Sequence, residues 1–439
     1  MVEGLQTEIT RELLSSVVQE QYEDFISKDL GVRREILSGL KPAVSSSQVL
    51  VITGLRRVGK STLLLQLAEK YLKKDYYFIS FEDERLLNFK VKNFDLLHEV
   101  FISLFGEKKV FLLDEVQNVP GWERFVRRLH DQGYKFIVTG SNASLLSQEL
   151  GTRLTGRSVR VELFPFSLRE FLDFKGVDLS KINFKRGVGN RNAITTKQRG
   201  QLQKWLNEYL AFGGIPDALK YPDLAFHKTL YDDVLYRDIA TRYGIENVKE
   251  LKELALYLMS NTSSLVSFNK LKQLLKLGSV NTVKKYIDYL ENSWLFFVVN
   301  KYAHSVKEQQ IASKKIYSVD TGLARSVGFS FSENKGHLME NLVFLELKRR
   351  GYDIYYYKTS QEHEVDFFLP KERTLIQVAQ KISTAEAKKR EFRALVEAKG
   401  EQPSSGVLLV ITEGDKGVFE WGGVPVVAVP LYEWLLAQS

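Results

Sequence analysis

The stretch SSQVLVITGLRRVGKSTLLLQLAEKYL (46–72) constrains this chain more than any other, because it sets Gly54-x4-Gly59-Lys60-Ser61 between two readable elements. An apolar β-type run, Val49 to Thr53, leads in, and a helical pattern carrying Leu63, Leu64 and Leu67 follows. The chemistry needs these residue types at this spacing. Glycines let backbone N–H groups close around phosphate oxygens, the lysine reaches the β and γ phosphates, and the hydroxyl serves magnesium at a helix N-terminus. The pattern predicts an α/β core with ATP and Mg2+ as ligands and Gly54, Val58, Gly59, Lys60, Ser61 and Thr62 as the nucleotide-binding set.

A second strand pattern, KKVFLLDEVQ (108–117), ends in Asp114-Glu115. After a phosphate loop, such a pair places magnesium through Asp114 and polarises the attacking water through Glu115. A buried strand with a polar cap is the plain alternative. A third pattern, YKFIVTGSN (134–142), ends in small polar residues, so Asn142 or Ser141 is positioned for the γ-phosphate or to cap a helix. Arg153 and Arg157, in GTRLTGRSVRVEL, precede another apolar strand. By themselves they read as solvated charges.

The 439 residues exceed what one core serves, so two to four domains are expected. A formal charge of +8 suits an anionic partner without demanding one. The absence of cysteine excludes disulfides and thiolate chemistry, and six histidines show no ligand-like spacing. No apolar run is long enough for a membrane helix, and the acidic start does not read as a signal peptide. A soluble, cytoplasmic protein without membrane contact is expected.

GLRRVGKST, FLLDEVQNVPGWE, VTGSNASLL, RLTGR and ELFPFSLREF together resemble an AAA+-type P-loop ATPase family of archaea and bacteria with a C-terminal restriction-endonuclease-like domain. The resemblance continues through YLAFGGIPDAL, LYRDI, KIYSVDTGL and MENLVFLELKRRGY, from about residue 30 onward. It implies that Lys60 and Ser61 are the phosphate-loop pair and that Asp114 and Glu115 form the second acidic motif. By the same resemblance Asn142 is the sensor and Arg157 an arginine finger given to a neighbouring subunit, which implies a homo-oligomer such as a ring. Arg153 stays a surface residue.

The implied fold class is α/β: a P-loop AAA+ core with helical lid, a winged helix-turn-helix domain and a C-terminal restriction-endonuclease-like α/β domain. The boundaries read as 1–40 for an N-terminal helical segment, 41–173 for the ATPase core and 174–247 for a basic insertion and lid. Residues 248–325 then form the winged helix and 326–439 the PD-(D/E)XK nuclease-like domain. Residues 174–204 are rich in Lys and Arg, as a solvated linker or a phosphate-contacting loop would be. Arg237 in LYRDI is a candidate nucleotide-sensing residue. In 248–320 the pattern is three helices and then two strands joined by a polar, basic wing, with Lys284 and Lys285 on the third helix.

The tail stretch GHLMENLVFLELKRRGYDIYYYKTSQEHEVDFFLPKERTLIQVAQK (336–381) reads helix, strand, strand, strand. A nuclease of this kind holds magnesium with Glu340, Asp366 and an acid on the next strand, beside a lysine. That strand has Gln377 for the acid and Ala379 for the lysine. Rescue requires Lys381 to reach back and Glu364 to complete the metal shell. The tail therefore reads as a degenerate nuclease. The favoured function is a Mg-dependent ATP hydrolase coupled to nucleic-acid binding or remodelling. Its rivals are a nucleotide-operated switch that binds a protein partner and an ATP-driven nuclease.

Overall fold

The computed structural model describes residues 8–143, 156–181, 195–221, 224–303, 305–328, 335–402 and 404–437. The chain forms two compact units, 1–163 and 164–439. Arg153 and much of the basic 174–204 segment lie outside the described residues.

In the first unit, β1 (Val49–Thr53), β2 (Tyr77–Ser80), β3 (Val110–Asp114), β4 (Lys135–Gly140) and β5 (Ser158–Glu162) form one sheet in the order β2-β3-β4-β1-β5. Every pairing is parallel. β1 is buried along its whole length. That is why its sequence is an unbroken apolar run, as a strand covered on both faces requires. Aromatic packing fills the layers beside the sheet: Phe111 stacks on Phe136 and Phe94 on Phe125, with centroids 4.9 and 4.4 Å apart. The N-terminal helix Arg11–Ser27 starts at Thr10, whose hydroxyl accepts from Leu13 N, and it lays Phe25 flat on Phe78. The N-terminal segment thus closes the β2 edge of this core.

The second unit starts with the short helix Leu168–Phe174, then Thr196–Phe212, opened by a reciprocal cap between Thr195 and Gln198. This second helix stops at Gly213, whose φ of +73° favours glycine. Gly214 N–H donates to Asp320 Oδ2 at 2.7 Å, and Leu323 N–H to Asp320 Oδ1 at 2.9 Å. A Cβ on Gly213 would lie 2.0 Å from Asp320 Oδ1. Two motifs distant in sequence, YLAFGG and SVDTGL, are therefore the halves of one buried joint.

Next come the helices Val248–Ser260, Phe268–Leu274 and Val280–Asn292 with β6 (Ser264–Val266), β7 (Phe296–Val299) and β8 (Lys314–Ser318). The strands make an antiparallel sheet in the order β6-β8-β7. β6 was not legible in the sequence. The β7–β8 connection, expected as a polar, basic wing, holds a short helix, Val306–Ile311.

The helix Lys335–Arg349 leads into a six-stranded sheet of β9 (Tyr355–Lys358), β10 (Glu364–Leu369), β11 (Thr374–Ala379), β12 (Val407–Thr412), β13 (Gly417–Trp421) and β14 (Val424–Pro430). Its order is β13-β14-β12-β11-β10-β9. β9, β10 and β11 are antiparallel; helix Ala385–Glu401 then crosses over so that β12 runs parallel to β11. That helix buries Phe392 and Leu395 in a core with Val365 and Val410. No described helix is long and apolar enough to cross a membrane.

Candidate nucleotide site and a buried carboxylate cluster

In a parallel α/β sheet, ligands bind at the carboxyl ends of the strands. That end of the first sheet gathers the loop after β1, the Asp114-Glu115 pair after β3 and Ser141-Asn142 after β4. The loop turns through Arg57 at φ +63° and Gly59 at φ +94° before helix Lys60–Leu67 begins. Gly54 has no room for a side chain, since a Cβ would meet Leu163 O at 2.3 Å. Arg34, buried beneath the loop, donates to Val58 O at 2.9 Å.

Lys60 is 4% exposed and donates Nζ to the carbonyls of Gly54 (3.3 Å) and Leu55 (3.2 Å). Its ammonium also pairs with Glu115 Oε1 at 3.0 Å. Ser61 Oγ donates to Asp114 Oδ2 at 2.7 Å, and Thr139 Oγ1 donates to Asp114 Oδ1. Burial, with Glu115 as a second cause, pushes the Asp114 carboxyl up. Burial pushes Glu115 up as well, but Lys60 and then Gln117 outweigh it and hold Glu115 below the ordinary range.

Glu115 has left-handed backbone, φ +50°, and its N–H donates to Thr139 Oγ1 at 3.0 Å. Such a conformation is uncommon for glutamate and persists only where surroundings fix it. Gln117 bridges Glu115 and Ser141, and Ser141 N–H donates to Glu115 Oε2 at 3.2 Å. Asn142, 6% exposed, follows directly. Thr139 and Gln117 were missed in the sequence; a threonine inside an apolar strand was the available signal. Ser61 and Asp114 bring hard oxygen donors within one hydrogen bond of each other, a donor set that fits magnesium.

Arg157 stands elsewhere. It immediately precedes β5, and the register Val49↔Ser158 puts it at the amino end of β1, across the sheet from Lys60. Its side chain is 39% exposed and 3.4 Å from Asp131. In the second unit, Arg237 is exposed in a π-helical turn, Val234–Thr241.

Glu340, Glu364, Asp366 and Gln377 do come together, lining a cavity of about 310 Å³ that also presents His337 and Glu391. Lys381 does not join them. β11 ends at Ala379, so the alternation that would have aimed Lys381 inward stops; its side chain is exposed, and Ile382 beside it is buried, with its N–H on Asp415. Arg390 also lines the cavity, paired with Glu391, but the cation that meets Glu340, Glu364 and Asp366 is Lys315 of β8, unassigned by the sequence reading. Its Nζ lies 2.7 Å from Glu340 Oε1, 2.6 Å from Glu364 Oε1 and 2.9 Å from Asp366 Oδ1. Burial opposes that charge, but Asp366, Glu340, Tyr317 and Glu364 raise its pKa well above the ordinary lysine value. Burial, then Asp366, pushes Glu340 up to about 8.

Residues 46–172 match the family described as "AAA domain". Residues 203–334 and 335–434 match two described only as domains of unknown function, DUF8612 and DUF4143. The chain is 33% identical to the uncharacterized protein MJ1544 of Methanocaldococcus jannaschii, over 96% of this chain and 97% of that one. It is also 33% identical to an uncharacterized protein of Haemophilus influenzae, over 80% of this chain and 87% of the relative. A solved structure, the Walker-type ATPase paby2304 of Pyrococcus abyssi, aligns with a TM-score of 0.43 at 15% identity, covering 69% of this chain and 99% of that one. The chain thus belongs to the family of MJ1544, and in this chain an AAA domain is followed by two domains of undescribed function.

Proposed function

We propose that the protein is a Mg-dependent ATP hydrolase of AAA+ type that couples turnover to nucleic acid. The observation that carries this reading is the hydrogen bond from Ser61 Oγ to Asp114 Oδ2 at 2.7 Å, beside the Lys60–Glu115 ion pair. Ser61 and Asp114 are the residues that would hold magnesium, which when bound neutralises charge on the β and γ phosphates. The loop amides and Lys60 bind those phosphates, which draws Lys60 from Glu115 and frees that carboxylate to orient the attacking water. Ser141 N–H and Gln117 hold Glu115 in place for that task, and Asn142 reads the γ-phosphate. Arg157 serves the site of a neighbouring subunit, because its own lies across the sheet. That role needs an oligomer.

Nucleic acid is the preferred effector. The helices 248–260, 268–274 and 280–292 with the β6-β8-β7 sheet have the element order of a winged helix, whose third helix carries exposed Lys284 and Lys285. These lysines suit phosphate contacts, which fix position without reading sequence. The tail has the helix-strand-strand-strand-helix-strand order of the restriction-endonuclease-like fold, and we assign it no cleavage, since Lys381 is absent from the carboxylates. The test is steady-state ATP turnover with and without single-stranded, duplex and branched DNA, beside Lys60→Ala. Salt-sensitive stimulation is expected. Turnover unaffected by any DNA would shift the reading to a nucleotide-operated switch for a protein partner.

A further inference from the structure

Three carboxylates on two elements, Glu340 on its helix and Glu364 and Asp366 two apart on β10, are what a nuclease of this fold would offer to magnesium. The residues present do not fit that ion. Lys315 Nζ is within 2.9 Å of an oxygen of each carboxylate, and its side chain is only 2% exposed. Tyr317, two residues along β8 and so on the same face, adds a hydrogen bond to the Glu340 oxygen that Lys315 holds, at 2.7 Å. Asp366 spends its other oxygen on Val378 N–H at 2.9 Å. The next strand supplies neutral Gln377, whose Oε1 accepts from Asp366 N–H. Among the described residues, no group of acids and histidines is arranged to hold a metal.

A divalent ion entering here would have to displace a buried ammonium or sit beside it, and like charges at that range repel strongly where water is scarce. Removing the ammonium alone would strand several carboxylates in the interior, which is costly. We propose that Lys315 is the resident cation of this cluster, so that the cluster is a charge clasp joining β8 to the tail sheet and not a metal site. A metal ion is exchangeable; this cation is part of the chain, so the joint between the middle module and the tail needs no bound ion. The inference is independent of the ATPase reading, and its test uses no nucleotide.

The experiment titrates full-length protein with Mn2+ and follows free Mn2+ by electron paramagnetic resonance, comparing wild type with Asp366→Asn. Superimposable curves are expected. A bound Mn2+ present in wild type and lost in Asp366→Asn would overturn the proposal. In a second arm, Lys315→Met is heated with EDTA or with Mn2+. A midpoint well below wild type in EDTA, partly restored by Mn2+ that leaves wild type unmoved, supports the clasp. A Lys315→Met protein as stable in EDTA as wild type would overturn it. A Lys315→Met chain that does not fold shows the same dependence on the ammonium, and the wild-type titration still decides the metal question.

Discussion

Thr139 Oγ1 donates to Asp114 and accepts from Glu115 N–H, so one fully buried hydroxyl fixes both acids at the end of β3. Thr139→Val keeps the shape and removes the hydroxyl. It leaves the part-buried Glu115 N–H without its partner and takes a donor from Asp114, which costs about 1 kcal/mol or more. Urea unfolding should show that loss, and ATP turnover should fall while nucleotide affinity changes little, because Lys60 and the loop are untouched.

Asp320 holds the joint between the helix ending at Phe212 and the helix Thr321–Val327, accepting from Gly214 and Leu323 N–H groups. Asp320→Ala removes the acceptor for more than one buried donor, so the expected loss is about 3 kcal/mol or more. Asp320→Asn, which keeps one accepting oxygen, should lose less. Denaturant midpoints of the two variants check the order.

Glu291 gives a pH dependence of defined sign. Its carboxyl accepts from Val298 N–H at 3.0 Å, yet burial pushes its pKa up to about 7. A raised acid binds its proton more tightly in the folded chain than in the unfolded one. Its contribution is therefore full at and below the ordinary glutamate range, falls as pH climbs toward 7, and is flat above. Glu291→Gln should flatten that slope and stabilise the protein above pH 7 by about 1–3 kcal/mol. Thermal midpoints from pH 5 to 8 measure both.

What was legible in the sequence follows from how local each signal is. The phosphate loop, its strand and its helix are contiguous, so spacing alone singles out Lys60 and Ser61 as candidates. Asp114 is singled out because a strand pattern ending in two acids is conspicuous, and the structure brings it onto Ser61. Lys315 was not found, because its partners Glu340 and Asp366 lie 25 and 51 positions away, and only the packing of β8 on the tail brings them together. Lys381 was misplaced by extending a strand period past the strand's last residue, Ala379. The cation that pairs with Glu340, Glu364 and Asp366 comes from β8, which no reading of the β11 stretch alone could supply.

Arg157 tests whether a second subunit completes the nucleotide site. It precedes β5 at the amino end of β1, and five residues of β1 at about 3.3 Å each separate it from its own phosphate loop. No side chain spans that distance, so any action on phosphate must be on a neighbour. Arg157→Ala should lower turnover by about 1,000-fold or more while nucleotide affinity holds within a few-fold. Mixing Arg157→Ala with Lys60→Ala should then regain part of the activity, because one kind of interface pairs an intact loop with an intact arginine. Each variant alone lacks that interface. Turnover unchanged in Arg157→Ala, or a monomer that hydrolyses ATP at the full rate, would remove the arginine from the mechanism.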